Sequence, residues 1–195
     1  MNYKPMLFNT EMVKAILNGK KTQTRREIKN EQILSTISII KEGAENLCDY
    51  KKGDVIWVRE TFYKTTAPEL KGEFYYKASI DSGWKFRWKP SIHMPKEACR
   101  LFLEVSNVKI ERLQDISEND AISEGVTPYA YGYWKNYISL FSGGRPKTGI
   151  DFKDPKDSFK TLWASIYGVE NLKQNPYVFV IEFKRIDKPK SFNNQ

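Results

Sequence analysis

The sequence predicts an α+β fold, a small mixed β-barrel with helices at its periphery. Two observations carry the prediction. The strand-like segments are separated by unlike elements, here a helix, there a turn or an irregular stretch, and not by a regular succession of helices. No Gly-rich strand–turn–helix fingerprint of a doubly wound sheet appears. The chain is also long enough to bury a core without covalent staples: 195 residues, 40% hydrophobic and 29% charged. That length suits one elaborated domain or two small ones.

The elements follow in order. Thr10 can cap a helix through EMVKAILN, with Met12, Ile16 and Leu17 available to one face. Gly19 ends it, because glycine accepts the left-handed conformation of a helix stop. Residues 27 to 52 are polar and mixed, apart from an Ile-rich stretch at 33 to 40. Lys52-Gly53-Asp54 reads as a turn into the strand VIWVRE, and EFYYKA reads as another strand. Residues 81 to 98 are loop-like, restricted by Pro90 and Pro95.

Arg100 to Arg112 predicts a long strand, with Leu101, Leu103 and Val105 on one face and a bulge near Ser106-Asn107. Ser117 caps a short helix, ENDAISEG, that Gly125 stops. Residues 127 to 155 are the least regular and hold the aromatic stretch PYAYGYWKNY and the basic stretch GGRPKTG. Asp157 or Ser158 opens a helix through FKTLWASIYG, which Gly168 stops. YVFVIEFKR is a strand with apolar residues on both faces, so both faces are covered.

Lys plus Arg number 32 against 24 Asp plus Glu, a formal net charge of +8 that favours polyanionic partners, nucleic acid first. Aromatic residues, at 14%, suit base stacking beside phosphate contacts, and equally a β-rich core. Cys48 and Cys99 are far apart and form no CxxC pair, which argues against a disulfide framework and a zinc site and fits a reducing cytosol. The N-terminal MNYKPMLFN has no apolar h-region, and no apolar run approaches the roughly 18 residues that span a bilayer. A cytoplasmic location without membrane contact is expected.

Several motifs fail. GGRPKTG lacks P-loop spacing. His93 is the sole histidine, which excludes a His-rich metal site, and the zinc-deaminase pattern is absent. No cofactor or metal is expected, so any catalysis must use Lys, Glu, Asp, Thr, Ser or Tyr.

The segment GKKTQTRR, Gly19 to Arg26, stands out. If it is extended, Lys20, Thr22 and Arg26, with Thr24, share one face, and Lys21, Gln23 and Arg25 the other. If it is a turn, Lys21 and Thr24 converge. Clustered cations bind phosphate, arginine with bidentate geometry. A desolvated lysine crowded by cations can act as a base near neutral pH and activate a threonine or a water. The bland reading is a solvated charge run following a helix.

GKKTQTRR after a short helix, GDVIWVRETF, WKPSIHMPKEACRLFLEV, LQDISENDAISEGV, FKTLWASIYG and NPYVFVIEFK together resemble the ASCH domain, closest to its larger phage- and prophage-encoded members. The resemblance touches most of the chain and implies a single PUA-like domain over residues 1–195, with insertions near 27–52, 63–98 and 127–155. It implies a cleft that binds RNA or a modified nucleoside. Some small members remove the acetyl group from 4-acetylcytidine with a lysine, a threonine and a glutamate. Lys21, Thr24 and Glu124 match those three positions, and Arg26 matches the motif's arginine. On that basis Lys21 is the expected base, Thr24 the nucleophile or water-positioning hydroxyl, Glu124 the acid/base partner and Arg26 the anion holder.

Lys20, Thr22, Arg25, Arg26, Trp57, Arg59 and His93 are the candidate ligand-binding residues. Trp57 and Arg59 lie on VIWVRE, where a core Trp and a structural Arg–Glu pair are the competing explanation. His93 sits between two prolines, placed to stack on a base or donate to phosphate, or simply to pack a turn. Trp84, Trp88 and Tyr131 to Tyr137 can stack on bases, and Arg145 and Lys147 can extend a phosphate track; packing and solvation are the alternatives. The expected function is binding of RNA or a nucleoside. The alternatives are an amidohydrolase acting on an acylated cytidine, a ribonuclease, and a protein-interaction role in phage biology.

Overall fold

A computed structural model of the chain describes residues 2–39, 43–65, 74–80, 86–138 and 152–194. In chain order these form β1 (Tyr3–Leu7), α1 (Thr10–Leu17), β2 (Gln23–Glu27), α2 (Glu31–Ile39), β3 (Val55–Arg59), β4 (Phe62–Lys64) and β5 (Phe74–Tyr76). Then follow β6 (Phe102–Arg112), α3 (Glu118–Ser123), α4 (Pro155–Tyr167), α5 (Val169–Gln174) and β7 (Tyr177–Ile186). The fold is α+β, with a five-stranded mixed sheet ordered β1-β3-β6-β7-β2 and a two-stranded sheet of β4 and β5. Among the described residues no strand pairing closes the five strands into the expected barrel. No helix among them is long and apolar enough to cross a membrane.

The chain divides into two compact units. The first holds Met1–Gly19, Lys52–Ser106 and Phe183–Gln195. In it β1 runs parallel to β3, and β3 pairs antiparallel with Phe102–Glu104 of β6. Its core is aromatic: Phe102 and Phe192 meet edge-on at 4.7 Å, with Val55, Phe62, Met94, Ala98 and Cys99 around them. α1 is capped by Asn9, whose side chain accepts from Met12 N at 2.8 Å; the expected cap, Thr10, is the first helical residue. Glu60 is buried and forms a paired bridge with Arg100, Oε1 to Nε 2.8 Å and Oε2 to Nη2 2.9 Å.

The second unit holds Lys20–Lys51 and Asn107–Glu182. β2 pairs antiparallel with β7 in the register Gln23–Glu182 to Glu27–Val178. Alternation along β7 sends Val178 and Val180 into a core with Leu113, Ile116, Ala121, Phe159, Leu162 and Trp163. Ser117 caps α3 as expected, accepting from Asp120 N at 3.1 Å, and Gly125 follows at φ +85°. α4 begins earlier than expected. Asp154 caps it by accepting from Lys156 N at 2.8 Å, and Pro155 takes the first turn, where a missing N–H costs nothing. β6 runs as one strand through Ser106-Asn107, both exposed. GGRPKTG, with Arg145 and Lys147, and Trp84 lie outside the described residues.

Candidate functional site

The basic segment is extended. Gly19, at φ +68°, donates to Ile16 O at 3.0 Å and ends α1. Lys21 then forms an antiparallel bridge with Glu124, and Gln23 onward is β2. The end of α3 fixes this path. A helix leaves its last carbonyls without intrahelical donors. Here Thr22 N donates to Ser123 O at 2.9 Å, and Lys21 Nζ donates to Glu124 O at 2.9 Å. Gln23 Nε2 adds a further bond to Asp120 O at 3.0 Å, a carbonyl that already accepts from Glu124 N within the helix. The segment that reads as a charge run is thus the C-terminal cap of a helix about a hundred residues later in the chain.

Extension separates the side chains into two faces. Lys21, Gln23 and Arg25 turn to one side and are buried, with Lys21 2% and Arg25 3% exposed. The solvated charge run is therefore excluded for these two cations. Lys21 Nζ lies 2.8 Å from Glu124 Oε2, and Arg25 Nη1 lies 3.0 Å from Glu124 Oε1. Arg25 also donates through Nε and Nη2 to Glu111 Oε1 and stands 3.3 Å from Asp120 Oδ2. Lys109 completes the group, 3.6 Å from both Glu111 and Asp120. Three cations face three carboxylates, and the Phe159 ring lies 5.7 Å from the Arg25 guanidinium. Burial lowers the pKa of Lys21 below its ordinary value, against the opposing pull of Glu124. Burial works to raise that of Asp120, yet Arg25 and Lys109 outweigh it and hold the carboxyl low.

Thr24 and Arg26 occupy the other face of β2, opposite Ile181 and Phe179 of β7 in register. Thr24 is buried and Arg26 half-buried. A cavity of about 290 Å³ opens on this side, lined by Arg26, Ile28, Ile33, Tyr50, Phe179 and Ile181 among others. Burial raises the pKa of Tyr50, and the nearby Arg26 charge opposes the rise, so the phenol is neutral at physiological pH and the guanidinium is close to it. A cation, a phenol, a phenyl ring and aliphatic walls around one hollow can hold a flat, partly polar ligand.

The predicted site residues therefore distribute unevenly. Lys21, Arg25 and Glu124 come together. By strand alternation Thr24 shares the face of Arg26, not that of Lys21. Lys20 and Thr22 are exposed. Trp57, Arg59 and His93 belong to the first unit. There the Arg59 guanidinium lies 5.6 Å from the Trp57 ring and donates to Ile92 O, while His93 is exposed on the turn Ser91–His93. Glu111 and Asp120 at Arg25, and Tyr50 and Phe179 at the cavity, join the site from outside the sequence motifs. Glu111 and Asp120 read locally as a strand-end and a first-turn carboxylate, and only their approach to Arg25 marks them.

No family model matches the chain, and no curated protein matches it. Among solved structures, the hypothetical protein PH0355 superposes with a TM-score of 0.41 at 13% identity, over 95% of this chain and 100% of that one. The protein EF3133 from Enterococcus faecalis V583, described as a DUF984 member, superposes with a TM-score of 0.40 at 12% identity, over 93% of this chain and 71% of that one. At these values neither likeness carries an argument about what the chain does.

Proposed function

We propose that this chain is an ASCH-like protein of the PUA-like class that binds RNA or a modified nucleoside, holding one base in the cavity beside Arg26. The observation that carries the reading is the composition of that cavity: the motif's arginine meets Tyr50 and Phe179 around a hollow of about 290 Å³. An aromatic ring stacks on a nucleobase, a guanidinium holds a phosphate or a carbonyl oxygen, and apolar walls exclude water. The surplus of +8 charges supplies the long-range attraction to a polyanion.

Calorimetric titration with cytidine, 4-acetylcytidine and cytidine 5′-monophosphate tests the reading. Saturable binding of at least one is expected, weakened about tenfold or more by Arg26→Gln and by Phe179→Leu. For the phosphorylated ligand, affinity should fall as salt rises. Absence of saturable binding, or unchanged affinity in both variants, overturns the proposal.

A second reading, the amidohydrolase, has one observation in its favour. Lys21 and Glu124, separated by 103 residues, meet at 2.8 Å, and burial depresses the lysine pKa. In that reaction water adds to the acetyl carbonyl, the C–N bond breaks, and acetate and cytidine leave. Against it, Lys21 Nζ is fully enclosed and engaged by Glu124, and Thr24 is on the other face of β2. Binding is the better supported function for this reason. Release of acetate from 4-acetylcytidine, abolished by Lys21→Met and Glu124→Gln, would reverse the order of the two readings.

A further inference from the structure

The second unit carries a feature that the cavity does not use. Between Thr127 and Lys135 the chain makes a tight, closed loop. Lys135 N donates to Thr127 O at 2.9 Å, and Tyr129 N donates to Tyr133 O at 2.7 Å. Pro128 bridges Trp134, which in turn exchanges hydrogen bonds with Phe152 at 2.7 and 3.0 Å. Trp134 packs against the core of the unit. The base of the loop is therefore fixed on both sides.

Its tip is the opposite of a fold-stabilising arrangement. Tyr131 is 97% exposed and Tyr129 63%. Tyr131 also adopts the left-handed conformation, φ 59° and ψ 29°, and Gly132 follows at φ 78°. A left-handed backbone is costly for a residue with a Cβ, and an aromatic ring held in water forgoes its burial. Glycine or asparagine would serve the turn at lower cost. Tyr131 bears both costs in one residue, and strain kept at an exposed position points to a binding role.

We infer that Tyr131, with Tyr129 beside it, is a stacking platform for an unpaired base of a single-stranded nucleic acid. Every base offers a π-face, and a ring on a braced loop loses little entropy on stacking. Lys135, its ammonium 5.0 Å from the Tyr137 ring, places a cation at the foot of the loop for the backbone phosphate. The net charge of +8 favours a polyanion over a basic protein or peptide. This platform is separate from the hollow beside Arg26 and does not depend on it.

The experiment is fluorescence anisotropy with labelled single-stranded RNA and single-stranded DNA of the same sequence, at fixed salt. Tyr131→Ala is expected to weaken binding by about 5- to 100-fold, the range set by losing one base stack. Tyr131→Phe should bind like the unmodified chain, since stacking needs the ring and not the hydroxyl. Tyr131→Gly relieves the backbone, so it should raise thermal stability while losing affinity, an outcome that a structural role for the ring would not give. Loss with either polymer supports the inference, and DNA against RNA tells which is held. Unchanged affinity of Tyr131→Ala for both, or no binding of either polymer by the unmodified chain, overturns it. Mononucleotide titration of Tyr131→Ala reads the cavity alone and should be unaffected, so failure of the loop and failure of the cavity are told apart.

Discussion

Replacing Glu124 by glutamine removes one negative charge from the buried cluster and leaves the side chain's length and shape. Glu124 accepts two charge-assisted bonds, from Lys21 Nζ at 2.8 Å and Arg25 Nη1 at 3.0 Å, and is 3% exposed. Arg25 keeps Glu111 and Asp120 as partners, so its loss is partial. Lys21 keeps the backbone carbonyl of residue 124 and at best a neutral amide oxygen, and no carboxylate. An uncompensated buried charge of this kind costs about 3–5 kcal/mol. For a chain of this size that lowers Tm by roughly 6–20 °C, at about 2–4 °C per kcal/mol.

The sign of the pH dependence follows. Without the carboxylate, burial depresses the folded-state pKa of Lys21 further, while the unfolded value stays near 10.5. Between those two values the unfolded state binds more protons, so the variant's stability rises with pH through that window. Urea denaturation of the unmodified chain and Glu124→Gln from pH 6 to 9 reads both effects. The double variant Lys21→Met with Glu124→Gln should recover part of the loss, because the stranded ammonium is gone. A Glu124→Gln chain within about 0.5 kcal/mol of the original, with no recovery in the double variant, would refute the buried pair.

Three further outcomes are expected. Gly19→Ala should destabilise by about 1 kcal/mol in a thermal melt: an added Cβ meets nothing within 4 Å, so the cost is that of the +68° φ alone; a stability equal to the original would contradict that conformation. Asp120→Asn should flatten the acid limb of the stability curve. The Asp120 pKa is held below 3.8 by Arg25 and Lys109, so its contribution is complete above that value and fades as pH falls through the folded pKa; an unaltered acid limb in urea melts from pH 2 to 5 would count against the contact. In a Cys48→Ser background, Cys99 should react with a disulfide reagent at pH 8 only as fast as the chain unfolds, because burial pushes its thiol up to about 11. Rapid stoichiometric labelling of the folded chain would show the thiol to be accessible.

Local chemistry carried far in some parts of the chain. Gly19, Gly53, Gly125 and Gly168 all take positive φ at the turns and helix ends where the sequence placed stops. The alternation in YVFVIEFKR foretold that Val178 and Val180 enter a core. It failed where the signal was weak or non-local. β1, β4 and α5 carry no clear local signal: YKPML holds a proline, FYK is three residues long, and VENLKQ has little apolar periodicity. The barrel expected from strands separated by unlike elements is not closed among the described pairings, because sheet closure depends on which edges meet, and no local pattern encodes that.

The same division holds at the site. By itself the sequence determined that Lys21, Arg25 and Arg26 lie on a short cationic stretch after a helix stop, and alternation determined that Lys21 and Arg25 share a face if the stretch is extended. Only the tertiary structure decided that it is extended. The donors of residues 21 and 22 are claimed by the end of α3, a capping demand that originates about a hundred residues downstream. Once that path was set, burial decided the chemistry. Lys21 and Arg25 entered a dry interior where each needs a carboxylate, and Arg26, one residue on, faced the hollow beside Tyr50 and Phe179.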